Sequence, residues 1–246
     1  MVRAISLLKA FSSDRPALSV AQLCEEVGLT RTTGHRLLSA LESEDLVARD
    51  SADGAYRLGP GVIALGAQAL RDHDLRTVVQ PDLEALADET GETATLEILA
   101  GNQMLILSEV KGRHLVTVAP ELGTMWPIHT TSTGKAVLAT LPPERRRELL
   151  RPPLRSFTQS TITDIDALLE EVDAVAHLGY AAASGEIESG AAAVAAALLD
   201  ARGNALGAIS LGGPVSRLTE ERIAELGAIL QSTAARLSRR LDIRIQ

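Results

Sequence analysis

The chain has 246 residues, 32 acidic against 24 basic side chains, a formal net charge of -8, one cysteine and only 2% aromatic residues. With 46% hydrophobic residues it has ample apolar surface for a folded core built from Ala, Leu, Val and Ile, which excludes a disordered chain. The longest apolar run, Ala191 to Leu199, is far short of a membrane span, and one cysteine offers neither an internal disulfide nor a zinc site. The first residues carry no apolar signal region, so we expect a cytoplasmic protein without membrane partners.

Ile5, Leu7, Leu8 and Phe11 fall at helical spacing, and Pro16 ends that stripe. Ser19 is an expected N-cap for a helix bearing Val20, Leu23, Cys24 and Val27, closed by Gly28. Thr30 caps the next helix, from Arg31 to about Glu42, with Leu37, Leu38 and Leu41 inward. Two helices joined through Val27-Gly28-Leu29-Thr30 have the form of a helix-turn-helix. Leu46 to Arg49 and Ala55 to Leu58 flank Asp50-Ser51-Ala52-Asp53-Gly54, a hairpin signal, so the first sixty residues predict a winged helix-turn-helix. Cys24, at an apolar helix position, is most simply a core residue.

After Leu58-Gly59-Pro60-Gly61 a helix with a small-residue face is expected over 61–78, and a second helix from near Pro81. Thr93 to Ala100 and Gln103 to Glu109 read as strands around Gly101-Asn102, with a third strand at Leu115 to Ala119. Thr131 to Leu141 and Asp164 to His177 read as helices. Tyr180 to Ala183, Ala193 to Asp200 and Ala205 to Gly212 read as strands, and Thr219 to Leu241 as a closing helix capped by Thr219. The order predicts an α+β domain over 79–246, with helices on an antiparallel sheet.

Thr30, Arg31, Thr32, Thr33, His35 and Arg36 lie at the start of the second helix of the motif and include no carboxylate. In a helix-turn-helix this segment enters the major groove, where Arg reads guanine edges and Thr meets phosphate or thymine methyls. Arg49 and Arg57 on the hairpin would lie against the DNA backbone. The acidic total argues against nucleic acid only until it is divided. Residues 1–60 hold seven basic and eight acidic side chains, a net of -1, which leaves -7 for the remainder. The competing reading of this helix is a solvated face.

Enzyme signals are weak. Ser132-Thr133-Gly134-Lys135 matches Ser-x-x-Lys, but none of the three lysines (Lys9, Lys111, Lys135) is followed by Thr-Gly, and Ser-Asp-Asn is absent. A phosphate loop would need glycine where His129 stands. His35, His73, His114, His129 and His177 form no i, i+4 pair, so neither a metal nor another cofactor is expected.

Several segments in order resemble the IclR-type bacterial transcriptional regulators. They are Arg3 to Leu8, Glu25 to Leu38, Tyr56 to Gly59, Thr90-Gly91-Glu92-Thr93, Pro127 to Ala139, Thr158 to Thr163, Gly179-Tyr180-Ala181 and Ile209 to Pro214. The resemblance implies a winged helix-turn-helix, a linker helix and a GAF-like effector-binding domain. It also implies a dimer or dimer of dimers on a palindromic operator in double-stranded DNA, with repression favoured over activation. A small organic acid or aromatic metabolite would modulate binding. Carried onto matching positions, the effector site would include Trp126, His129, Ser132, Thr133, Gly134, Glu186, Ala193 and Ser210. Ser132 and Thr133 begin a helix, where N–H groups and hydroxyls suit a carboxylate. Lys135 and His129 also have structural readings. Members often carry Glu-x-x-Gly-x-Arg-Cys-x-Ala-x-Pro, whereas this chain places alanine at the Arg, Cys and Pro positions within Gly190 to Ala197. Ala191 to Ala193 would enlarge the site and favour something bulkier or less polar than glyoxylate or pyruvate; tighter packing of a ligand-free domain is the competing reading. The functional alternatives are a sensor acting by protein–protein contact without sequence-specific DNA binding, and a hydrolase, which the missing partner motifs disfavour.

Overall fold

A computed structural model describes residues 1–12, 14–71, 74–114 and 121–245. The chain divides into two compact units, residues 1–73 and 74–246.

In the first unit α1 (Val2–Leu8), α2 (Val20–Val27) and α3 (Arg31–Ser43) precede a hairpin of β1 (Val47–Arg49) and β2 (Tyr56–Leu58), followed by α4 (Pro60–Arg71). The caps expected from sequence are present. The Ser19 side chain accepts from the Gln22 amide while Gln22 Oε1 accepts from the Ser19 amide, a reciprocal capping box. Gly28 ends α2 in the left-handed region, where L side chains are disfavoured, and its N–H bonds to the Cys24 and Glu25 carbonyls. Leu7, Leu18, Leu23, Leu38, Leu41, Val47 and Tyr56 form the core. Ile5, expected in the first apolar stripe, is instead half exposed at 47%. Gly34 sits so close to Cys24 that an added Cβ would overlap Sγ, which fixes how tightly α3 crosses α2. Gly59 and Gly61 likewise pass against the Asp45 carbonyl, and their N–H groups bond to Leu46 and Asp45.

In the second unit a six-stranded antiparallel sheet runs β5 (Met125–Pro127), β4 (Gln103–Val110), β3 (Thr93–Ala100), β8 (Ala205–Pro214), β7 (Ala191–Leu199), β6 (Ala181–Ser184). Helices α5 (Asp74–Thr90) and α9 (Glu220–Ile245) pack on the sheet and on each other; α6 (Ser132–Thr140) and α8 (Ile165–Leu178) form a second pair that does the same. Short α7 (Pro143–Leu149) joins them. Asp82 holds α5 to α9 through Arg236 (2.7 Å) and Arg240 (2.6 Å). Buried Glu92 takes a bidentate pair from Arg217, both contacts at 2.7 Å. Because side chains alternate across a strand, Thr93, Thr95 and Glu97 share one face of β3, and Ala94 and Leu96 the other.

Four expectations need correction or completion. The helices over 61–90 are Pro60–Arg71 and Asp74–Thr90, and Pro81 lies inside the second, removing one backbone donor without ending it. The edge strand β5 and helix α7 have no counterpart in the sequence reading. Strands β7 and β8 are longer than expected, starting at Ala191 and ending at Pro214 respectively. The strand expected at Leu115 to Ala119 lies outside the described residues. Among the described residues no helix is long and apolar enough to cross a membrane.

Candidate nucleic-acid interface and ligand cavity

The start of α3 is shaped by its cap. Thr30 Oγ1 accepts from the Thr33 amide and donates to Thr33 Oγ1 (3.0 Å), so both threonines are engaged in holding the helix end. The side chains beyond them are free to meet a partner. Arg31, Thr32, His35 and Arg36 are exposed, spaced so that 31 and 35, and 32 and 36, stack one turn apart. Among the described residues neither Arg31 nor Arg36 has an acidic partner, and α3 has no acid in its first turn. The opposite stripe, Gly34, Leu38 and Leu41, is buried. The hairpin arginines are more committed. Arg57 pairs with Asp50 at 2.7 Å, while Arg49 donates to the Gly54 carbonyl (3.3 Å) and lies over the Tyr56 ring.

The second unit contains a cavity of about 460 Å³. One face of β3, β7 and β8, the start of α6 and the segment between β6 and β7 build it. Of the effector residues expected from sequence, Trp126, Ser132, Thr133, Glu186, Ala193 and Ser210 line it. His129 and Gly134 do not. His129 belongs to a single 3-10 turn, Ile128–Thr130, and its Nε2 meets the Arg155 carbonyl at 3.0 Å; burial lowers its pKa, against the raising effect of that hydrogen bond. Gly134 packs against the Ile128 carbonyl, where a Cβ would clash, and its amide is capped by Thr131 Oγ1 at 2.9 Å. Both hold the backbone entering α6 rather than forming the wall.

The sequence reading missed Thr93, Thr95 and Glu97, three alternate residues of β3 that also line the cavity. Glu97 is buried, at 6% exposure. Thr133 Oγ1 donates to its Oε2 (2.6 Å) and Thr95 Oγ1 to its Oε1 (3.1 Å), with Ser210 Oγ 2.7 Å from Thr95 Oγ1. Desolvation pushes its pKa upward despite these two hydrogen bonds, because a carboxylate out of water lacks the hydration that favours its charge. Glu186 stands on the loop before β7. Thr161 Oγ1 donates to its carbonyl and Thr158 Oγ1 to that of Gly185, both at 2.6 Å, so the Thr158–Thr161 turn fixes where this loop lies. Lys135 is completely buried and reaches Glu186 Oε1 at 2.5 Å and Glu171 Oε1 at 2.8 Å. It is thus a structural lysine tying α6 to α8 and to the cavity wall. Burial raises the Glu186 pKa, and the Lys135 charge opposes that shift.

An exposed, acid-free cationic helix start on a winged helix-turn-helix, with a separate α+β unit that holds a ligand-sized cavity, is the arrangement of a DNA-binding transcriptional regulator. Comparison with known proteins resolves the class further. Residues 1–51 match the IclR helix-turn-helix domain, and residues 67–239 match the family described as bacterial transcriptional regulator IclR C-terminal. The chain is 31% identical to the HTH-type transcriptional repressor AllR of Escherichia coli (strain K12) over 243 residues, 98% of this chain and 90% of the relative. Its fold is similar to that of an IclR transcriptional regulator from Alicyclobacillus acidocaldarius, with a TM-score of 0.85 and 26% identity over 97% of this chain and 96% of that one. An IclR homolog from Microbacterium hydrocarbonoxydans, crystallised with 4-hydroxybenzoate, gives a TM-score of 0.80 and 28% identity over 99% of this chain and 98% of that one. The chain belongs to the IclR family of bacterial transcriptional regulators.

Proposed function

We propose that this regulator is a repressor that inserts the start of α3 into the major groove of a palindromic operator. Arg31, Thr32, His35 and Arg36 make the base and phosphate contacts there, and Thr30 and Thr33 orient the helix end toward a phosphate. Arg49 and Arg57 track the backbone beside it. The observation that carries this reading is the exposed, unpaired arginine pair on an acid-free helix start whose other face is core. Repression is supported by the name of the E. coli relative. The protein works as a dimer or dimer of dimers: a two-fold protein matches a two-fold operator with half-sites about 34 Å apart. Exposed Ile63 and Leu65 on α4 provide apolar surface for such an assembly.

The cavity serves as the effector chamber and takes a small metabolite of the size of a substituted ring or organic acid. The 4-hydroxybenzoate held by the Microbacterium relative supports that assignment. Trp126, Ser132, Thr133, Glu186, Ala193 and Ser210 contact the effector, joined by Thr95 and Glu97 from the opposite strand. His129 and Gly134 act indirectly, by placing the first turn of α6.

Gel-shift titration against the DNA upstream of the protein's own gene tests the interface. Arg31→Ala with Arg36→Ala should weaken binding by about 1–3 kcal/mol for each arginine that reads a guanine. Parental affinity in the double variant at physiological salt would remove α3 from the interface. In the same assay Ser132→Leu, which puts a larger apolar side chain into the chamber, should abolish the response to any effector that releases the parent from DNA.

A further inference from the structure

The chamber carries a charge pattern that selects its guest. Glu97, Glu186 and Glu188 line it, and among the described residues no Lys, Arg or His does. The adjacent cation, Lys135, is buried and committed to two carboxylates. A carboxylate entering this space would lose its hydration, meet acidic groups and find no counterion, an unfavourable burial. The start of α6 is the feature that favours an anion there. Glu97 already occupies part of it, taking the Thr133 hydroxyl of the first turn of α6 at 2.6 Å.

A second observation concerns hydrogen bonding in the same wall. Among the described residues two buried polar atoms of the wall find no hydrogen-bond partner, Glu186 Oε2 and Thr93 Oγ1. Both residues are more than nine-tenths buried, at 6% and 1% exposure. A carboxylate oxygen beside an ammonium such as Lys135 acts only as an acceptor, so its unmet need is for a donor. Leaving such a group unpaired out of water is costly, which marks this part of the wall as polar and unsatisfied. The rest of the wall, including Trp126, Ile187, Ala191 and Pro214, is apolar.

We propose that the effector is an amine: a small molecule with an ammonium head that answers Glu97 and Glu186, on an apolar, ring-sized body that lies against Trp126 and the β7 alanines. An ammonium supplies three donors and one positive charge, which meets the excess of carboxyls along the wall. The small side chains of Ala191, Ala192 and Ala193 leave room for the body. This inference rests on the reading of the cavity as the effector chamber.

Isothermal titration of the full chain at neutral pH with three probes of one shape, phenethylammonium, hydrocinnamate and phenethyl alcohol, separates the charge from the body. Phenethylammonium should bind at least about tenfold more tightly than either of the others. Glu97→Gln keeps the side chain's volume and its acceptor but removes the charge, and should narrow that preference. Far-UV circular dichroism checks that this variant folds. Glu188→Gln, at an exposed position on the rim, should narrow the preference without touching the core. Hydrocinnamate binding as tightly as the ammonium, no binding of phenethylammonium at millimolar concentration, or an unchanged preference in both variants overturns the proposal. Ammonium-selective binding that leaves DNA affinity unaltered would instead uphold the charge preference and remove the cavity's role as effector chamber.

Discussion

Glu97 is a titratable group held where its charged form is disfavoured, and this has a measurable sign. Its folded pKa lies above the ordinary carboxyl value, so the folded state holds the proton more tightly than the unfolded chain does. The unit is therefore relatively most stable below the ordinary carboxyl range. It loses stability as pH rises from there to the raised value, and above that value the loss is complete. Glu97→Gln does not titrate, so the variant should gain on the parent as pH climbs from the ordinary carboxyl range to the raised value. Denaturation midpoints of both proteins across that range test this, and parallel curves would show that Glu97 titrates normally. Glu186 acts in the same direction, with Lys135 opposing it. His129 acts in the opposite one: its lowered pKa gives a contribution present above the ordinary imidazole value and lost as pH falls through the folded value. Removing the carboxyl at 97 while His129 stays isolates the first of these slopes.

At the scale of elements, the crossing of α2 and α3 depends on one missing side chain. Gly34→Ala forces a Cβ into Cys24 Sγ, and overpacking of this kind costs about 1–3 kcal/mol. Cys24→Ala removes the sulfur, so Gly34→Ala should destabilise much less on that background. A double-mutant cycle by urea denaturation measures the coupling, and additive effects would mean that the two helices do not meet there. These helices were legible in the sequence because their ends are written locally, in Ser19, Gly28 and Thr30. The hairpin was legible for the same reason, from Asp53-Gly54 between strand-like runs. Strand β5 is three residues paired, among the described residues, only to β4, too short for periodicity to register. Pro81 reads as a helix start and stands inside a helix because tertiary contacts of α5 with β3, β4 and α9 outweigh one lost hydrogen bond. At the site, family motifs brought six residues to the cavity but misplaced His129 and Gly134, whose roles depend on a 3-10 turn that residue spacing does not specify. Thr93, Thr95 and Glu97 were missed although they alternate with Ala94 and Leu96. Alternation identifies a polar face, but that face looks like a solvated one until α6 is seen to cover it.

Across the whole molecule, charge is apportioned between units rather than neutralised. The net charge of -8 is concentrated beyond residue 60, so in the proposed interface the attraction for DNA comes from the local field of α3 and the hairpin. Such an interface is sensitive to salt. Log affinity should fall linearly with log salt concentration, by about 0.9 for each phosphate neutralised, and loss of a phosphate-contacting arginine should flatten the slope by about 1. Fluorescence anisotropy of labelled operator at several salt concentrations measures both, and identical slopes for the parent and the Arg31→Ala, Arg36→Ala variant would place phosphate contact elsewhere. The scarcity of aromatic residues has a different consequence. Trp126 is the one indole among 246 residues, and it stands in the chamber wall. Light absorbed at the red edge of the protein's spectrum is thus absorbed at a single place. Its emission colour and lifetime follow the polarity of that wall alone, without background from the DNA-binding unit. The protein comes with its own site-specific optical probe, able to follow occupancy of the chamber while operator is bound.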